Sequence, residues 1–258
     1  MADPEPAPGG GAPRAGLGEL ELGVWAAGLI AAALVACSLW QDLTARAYGY
    51  TKLLDVDVEA SAYTWLSSSL LLVTALAILH TAFERHARRA GDWRGWGVLG
   101  LVFLGLSAEE VLAIHERIGH RIVGATPGWG VDVRLAWAAP ALALCVPGLM
   151  IALPFLRSLP SATRRRMLAA GLAYVGGGAG VEAVQGVLAG RWPVTSLPMI
   201  LLEHAEEGLE VAGTLLMLRA VVLHRRGPAA GPATPAAQAW PSTPGPAPPR
   251  GAVRPESP

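Results

Sequence analysis

The chain has 258 residues, 52% hydrophobic and 16% charged, with a formal net charge of zero and a mean hydropathy of +0.41. Soluble domains carry about 25% charged residues, so this balance points to a membrane protein. Zero net charge leaves no basic footprint for nucleic acid. The two cysteines, Cys37 and Cys145, stand in apolar runs without a CxxC pattern, which argues against a disulfide framework or thiolate metal site.

Residues 1–20 and 227–258 are rich in Pro, Ala and Gly and have little to bury, so both are expected to be disordered tails. The first twenty residues lack a basic region followed by an apolar core, the form of a secretory signal. Leu34–Cys37 (LVAC) has the form of a bacterial lipoprotein box, but only Arg14 precedes the apolar run, and Cys37 is read as part of a span. Between the tails, 21–226 is predicted to be an all-α polytopic bundle. Its six transmembrane helices are predicted at 22–40, 61–82, 96–116, 134–155, 167–189 and 198–223. Trp25, Trp40, Trp65, Trp96, Trp137 and Trp192 lie near span ends, where interfacial aromatics concentrate.

Loop charges orient these spans. Arg85, Arg88, Arg89 and Arg94 follow the second, Arg157 and Arg164–Arg166 the fourth, and Arg225 and Arg226 the last. The first and fifth connections hold only Arg46 and Lys52, and Arg191; the third, with Arg117, Arg121 and Arg134, is ambiguous. The positive-inside rule then places both termini in the cytoplasm and the chain in the cell inner or plasma membrane.

Eight acids fall within or at the edges of spans: Glu109, Glu110, Glu116, Glu182, Glu203, Glu206, Glu207 and Glu210. Ionisable groups in a bilayer are costly and face a bundle interior or water. At about 1.5 Å per residue, those of spans three, five and six reach overlapping depths in the outer half of a core about 30 Å thick. Glu203, Glu206, Glu207 and Glu210 share one face of the last span, about 100° wide. Read as one helix, span three groups Glu109, Glu116 and His120, with Glu110 and His115 pointing elsewhere. The glycines before Glu182 (Gly176, Gly177, Gly178 and Gly180) permit close helix approach, and Glu182 is either a lone hydrogen-bonding group or a site carboxylate.

So many carboxylates require protonation or a multivalent cation. Carboxylates with imidazole suit Zn, Mn or Fe. The candidate metal ligands are Glu109, Glu110, His115, Glu182, Glu203, His204, Glu206 and Glu210, with Glu116 and Glu207 as candidate catalytic proton carriers. The pattern lacks the Glu-x-x-His pairs of di-metal carboxylate bundles. The alternatives are cation or proton passage and an acidic face that only supports packing.

LSAEEVLAIHERIG, GVEAVQG, EHAEEGLEVAGTLL and LLDVDVEASAYTWLSSSLLL together resemble a group of uncharacterised bacterial multi-pass membrane proteins over roughly residues 20–225. The resemblance implies six spans, assigns no chemistry, and adds weight to Asp57 and Glu59. Three function classes follow: a metal-dependent enzyme acting on a lipid-like substrate at the outer leaflet, a cation or proton transporter, and a structural protein. A near-absence of polar residues in the inner half, apart from His80, argues against transport. The expected partners are the lipid bilayer and a lipid-like substrate.

Overall fold

The structure, a computed structural model, describes residues 17–44, 51–58 and 60–226; residues 1–16 and 227–258 of the tails, 45–50 with Arg46, and Glu59 lie outside it. All regular structure among the described residues is helical. In chain order come α1 (Leu17–Leu43), a 3₁₀ turn (Lys52–Leu54), α2 (Ala62–Ala87), α3 (Trp93–Leu112) and α4 (Ile114–Ala125). They are followed by α5 (Val133–Ser158), α6 (Ser161–Val175), a π turn (Gly176–Val181), α7 (Glu182–Leu188) and α8 (Leu197–Arg226). Five helices are long and apolar enough to cross a membrane: Glu21–Leu43 of α1, α2, α3, α5, and Ser161–Leu188, which joins α6, the π turn and α7. The thirty residues of α8 extend about 45 Å.

The helices pack as an open arc running α3–α2–α8–α6/α7–α5, with α1 against α8 and α2. Its apolar core lies toward one end. Leu71, Ile78, Trp96, Phe103, Leu156, Met167, Met217 and Val221 are buried there. Trp96 is fully buried, meeting Phe155 edge-on at 5.4 Å and the His224 ring at 4.8 Å. Its indole N–H donates to Asp92 at 3.2 Å, and Asp92 also accepts from Arg85 Nε at 2.8 Å. The buried indole N–H and the Asp92 carboxylate thus satisfy each other, as burial demands. Glycine sets the α6–α8 spacing: a Cβ on Gly213 would lie 2.6 Å from the Tyr174 nitrogen and 2.9 Å from the Ala170 carbonyl.

Two predicted spans are not single α-helices. Span three ends at Leu112, because Ala113 adopts the left-handed conformation (φ 44°, ψ 51°) and α4 starts afresh. The grouping of Glu109, Glu116 and His120 on one helical face therefore fails. Span five carries a π turn directly before Glu182.

Candidate acidic cavity and metal centre

At the end opposite the apolar core, the α1–α2 connection, α4 and the adjoining parts of α3, α5, α7 and α8 surround a cavity of about 640 Å³. Ten carboxylates line it: Asp57, Glu109, Glu110, Glu116, Asp132, Glu182, Glu203, Glu206, Glu207 and Glu210. Arg134 is the one guanidinium among its lining residues, with His115 and His120 as imidazoles.

The floor comes from α8, whose four glutamates face the cavity as the helix wheel predicts. They reach it because the π turn carries little side chain. A Cβ on Gly178 would fall 2.0 Å from Glu210 Oε1, and one on Gly177 would fall 2.8 Å from the Glu206 carbonyl. Gln185, one turn beyond Glu182, donates to Glu206 Oε2 at 2.7 Å, while the Tyr63 hydroxyl donates to the Glu207 carbonyl at 2.6 Å. Glu182 is 7% exposed. Glu110, which also lines the cavity, bears with like charge on both Glu210 and Glu207.

Glu109 has a different task. Its carboxylate accepts the His115 backbone N–H at 3.1 Å and bonds to the His115 ring at 2.5 Å, capping the new helix at the Ala113 break. Burial acts to lower the His115 pKa, but the Glu109 carboxylate outweighs it and holds the ring up at about 9. The ring also packs on Trp137 at 4.9 Å. Glu109 and His115, expected as metal ligands, are thus engaged with each other. Glu116 sits exposed on the rim.

His204, expected beside the other α8 ligands, turns toward α1 instead. Its Nδ1 lies 2.8 Å from the Ile200 carbonyl, which can only accept, so Nδ1 carries a proton and Nε2 is the ring atom directed at α1. Ser38 Oγ, which accepts the Val56 N–H, stands 3.2 Å from Nε2. Asp42 Oδ2 lies 3.7 Å away, too far for a hydrogen bond. Among the described residues, Asp42, Glu203 and His204 bring one ligand atom each to within 4.8 Å of one another. Glu110, Glu182, Glu206 and Glu210 ring the cavity without forming a group that compact. The Asp42 and His204 side chains are 14% and 4% exposed. The charges of Asp57, Asp42 and Asp55 all bear on Glu203, which joins this cluster to the cavity. Burial pushes the Asp57 carboxyl up to about 6, opposed by Arg134 and reinforced by Asp55, Glu116 and Asp42.

Residues 22–225 match the family described as a domain of unknown function (DUF8692). The chain belongs to this family. No curated protein and no solved structure matches it. The segment shared with the family runs from α1 to the last turn of α8 and so contains the whole cavity and the Asp42–Glu203–His204 cluster.

Sequence reasoning missed Asp42 and treated Arg134 as a loop charge. Asp42 stands just beyond the predicted first span, in helix that continues to Leu43. The available signal was that a Trp-Gln-Asp ending places a carboxylate at the same level as the Glu203 end of α8.

Proposed function

We propose that the protein is a six-span membrane protein holding a divalent transition metal, Zn, Mn or Fe, at Asp42, Glu203 and His204, beside an acidic chamber that receives a lipid-like substrate. Support for a sixth span comes from α8, which packs among α1, α2 and α6 while its acids face the cavity instead of lipid. The arginines at 85–89, 157, 164–166 and 225–226 lie at the end opposite the cavity. By the positive-inside rule this puts both termini in the cytoplasm and the chamber in the outer half of the inner or plasma membrane.

The observation that carries the metal reading is the convergence of one imidazole nitrogen and two carboxylates within 4.8 Å, with the histidine tautomer fixed by Ile200. A mixed nitrogen and oxygen set suits these metals, and the Nδ1–H···O=C bond is the usual outer support of a ligating histidine. A bound ion would polarise a substrate oxygen or activate water. Around it, Arg134 offers the cavity's guanidinium to a polar group. Glu207, deep beside Glu210, and Glu116 on the rim are positioned to accept and return protons. The packed opposite end, closed by Trp96, Phe155 and His224, weighs against a conduction path.

The test is elemental analysis of full-length protein purified without chelator. Wild type and Glu207→Gln should keep stoichiometric metal, whereas Asp42→Asn/His204→Gln should lose it. Metal-free wild type would refute the reading, and loss confined to the Glu207 variant would move the site into the chamber.

A further inference from the structure

One side of the cavity lining is apolar and faces the gap between two helices. In the arc α3–α2–α8–α6/α7–α5, α3 and α5 are the two free ends. They meet far from the cavity, where Gly95 and Trp96 pack on Phe155. At the cavity end they are bridged by α4, whose Gly119 lies against the Val133 carbonyl so closely that a Cβ there would be 2.5 Å from it. Between bridge and contact, the lining turns apolar: Leu106 on α3, Ile114 and Ile118 on α4, and Ala141 and Cys145 on α5. Ile114, Ile118 and Cys145 are also exposed, which marks the mouth.

Its depth decides what enters. Cys145 is twelve residues past Val133, about 18 Å along the helix and close to the middle of a hydrocarbon layer about 30 Å thick. At that level the surroundings of the bundle are acyl chains. Pro140, Pro147 and Pro154 recur every seven residues on the exposed side of α5, each removing a backbone hydrogen bond, and the first two flank Ala141 and Cys145. Behind the mouth stand ten carboxyl groups and one guanidinium, a lining that pairs with a cationic head group or hydrogen-bonds an uncharged one and offers an anionic one a single partner.

We propose that the opening between α3 and α5, beneath α4, is a lateral portal through which a long-chain amphiphile with a cationic or uncharged head group enters from the leaflet. Its head lies among the carboxylates and its chain against Leu106, Ala141 and Cys145. This rests on the membrane placement and chamber proposed above, and not on the metal.

Full-length protein in phosphatidylcholine vesicles would be irradiated with three probes carrying a diazirine in the first few carbons of the chain: an alkyl amine, an alkyl alcohol and a fatty acid. Peptide mapping should place amine and alcohol adducts at Leu106, Ala141 and Cys145, with the fatty acid leaving these positions unlabelled. Ala141→Trp should lose the cavity adducts while those on the outer face, at Leu144 and Ile151, stay as in wild type and report an intact bundle. Adducts from all three probes confined to that outer face would overturn the portal. Equal cavity labelling by the fatty acid would overturn the head-group class. Asp42→Asn/His204→Gln protein should label as wild type does, so failure of the metal reading leaves a distinct signature.

Discussion

The two ends of this bundle solve the problem of burial in opposite ways. At the Trp96 end, apolar side chains fill the space and carboxylates pair with arginines, Asp92 with Arg85 and the part-exposed Glu84 with Arg225 at 3.1 Å. At the α8 glutamate end, ten carboxylates surround a cavity of about 640 Å³ with one guanidinium among them. Carboxylates in a bilayer cost roughly 2.5 to 3.5 kcal/mol each at mid-depth on insertion scales. A fold that matches its charges at one end and leaves them crowded at the other locates stability in the first region and function in the second.

Substitutions should separate the two. The largest effect is expected at the packed end, where Trp96→Ala removes the fully buried indole and should cost about 3–5 kcal/mol, read as a large drop in thermal midpoint in detergent. Gly213→Ala should cost about 1–3 kcal/mol, because the added methyl meets the Tyr174 and Ala170 backbone, which cannot swing aside. A midpoint equal to wild type in either variant would contradict this division. The smallest effect concerns the Glu109–His115 pair at the cavity rim. His115 is raised from 6.5 to about 9, so its stabilisation is fully present below pH 6.5 and is lost as pH rises through 9. Thermal midpoints measured from pH 6 to 10 should fall across that window in wild type, and less steeply in His115→Gln.

The cavity end was also the more legible of the two in the sequence where one uninterrupted helix was concerned. Glu203, Glu206, Glu207 and Glu210 were placed on one face by helical period alone, since nothing between Leu197 and Arg226 breaks the helix. Five of the predicted spans correspond to helices, or a joined helix unit, able to cross a membrane by length and composition. Span three was misjudged because alanine favours helix and EEVLAIHER contains no Gly or Pro to signal a stop. The break there is made by a tertiary-like device, the Glu109 side chain capping His115, which no local propensity encodes. The glycines before Glu182 were legible as a close-approach patch, but not as a π turn. The partnership of Asp42 with His204 depends on α1 packing beside α8, a long-range contact outside the reach of periodicity.

The most direct test of the account is metal content, compared between two double variants, one at the α1–α8 cluster and one on the α8 face that lines the cavity. Asp42→Asn/His204→Gln should abolish the stoichiometric metal of the wild-type protein, and Glu206→Gln/Glu207→Gln should retain it. Metal kept by the first pair and lost by the second would contradict the assignment.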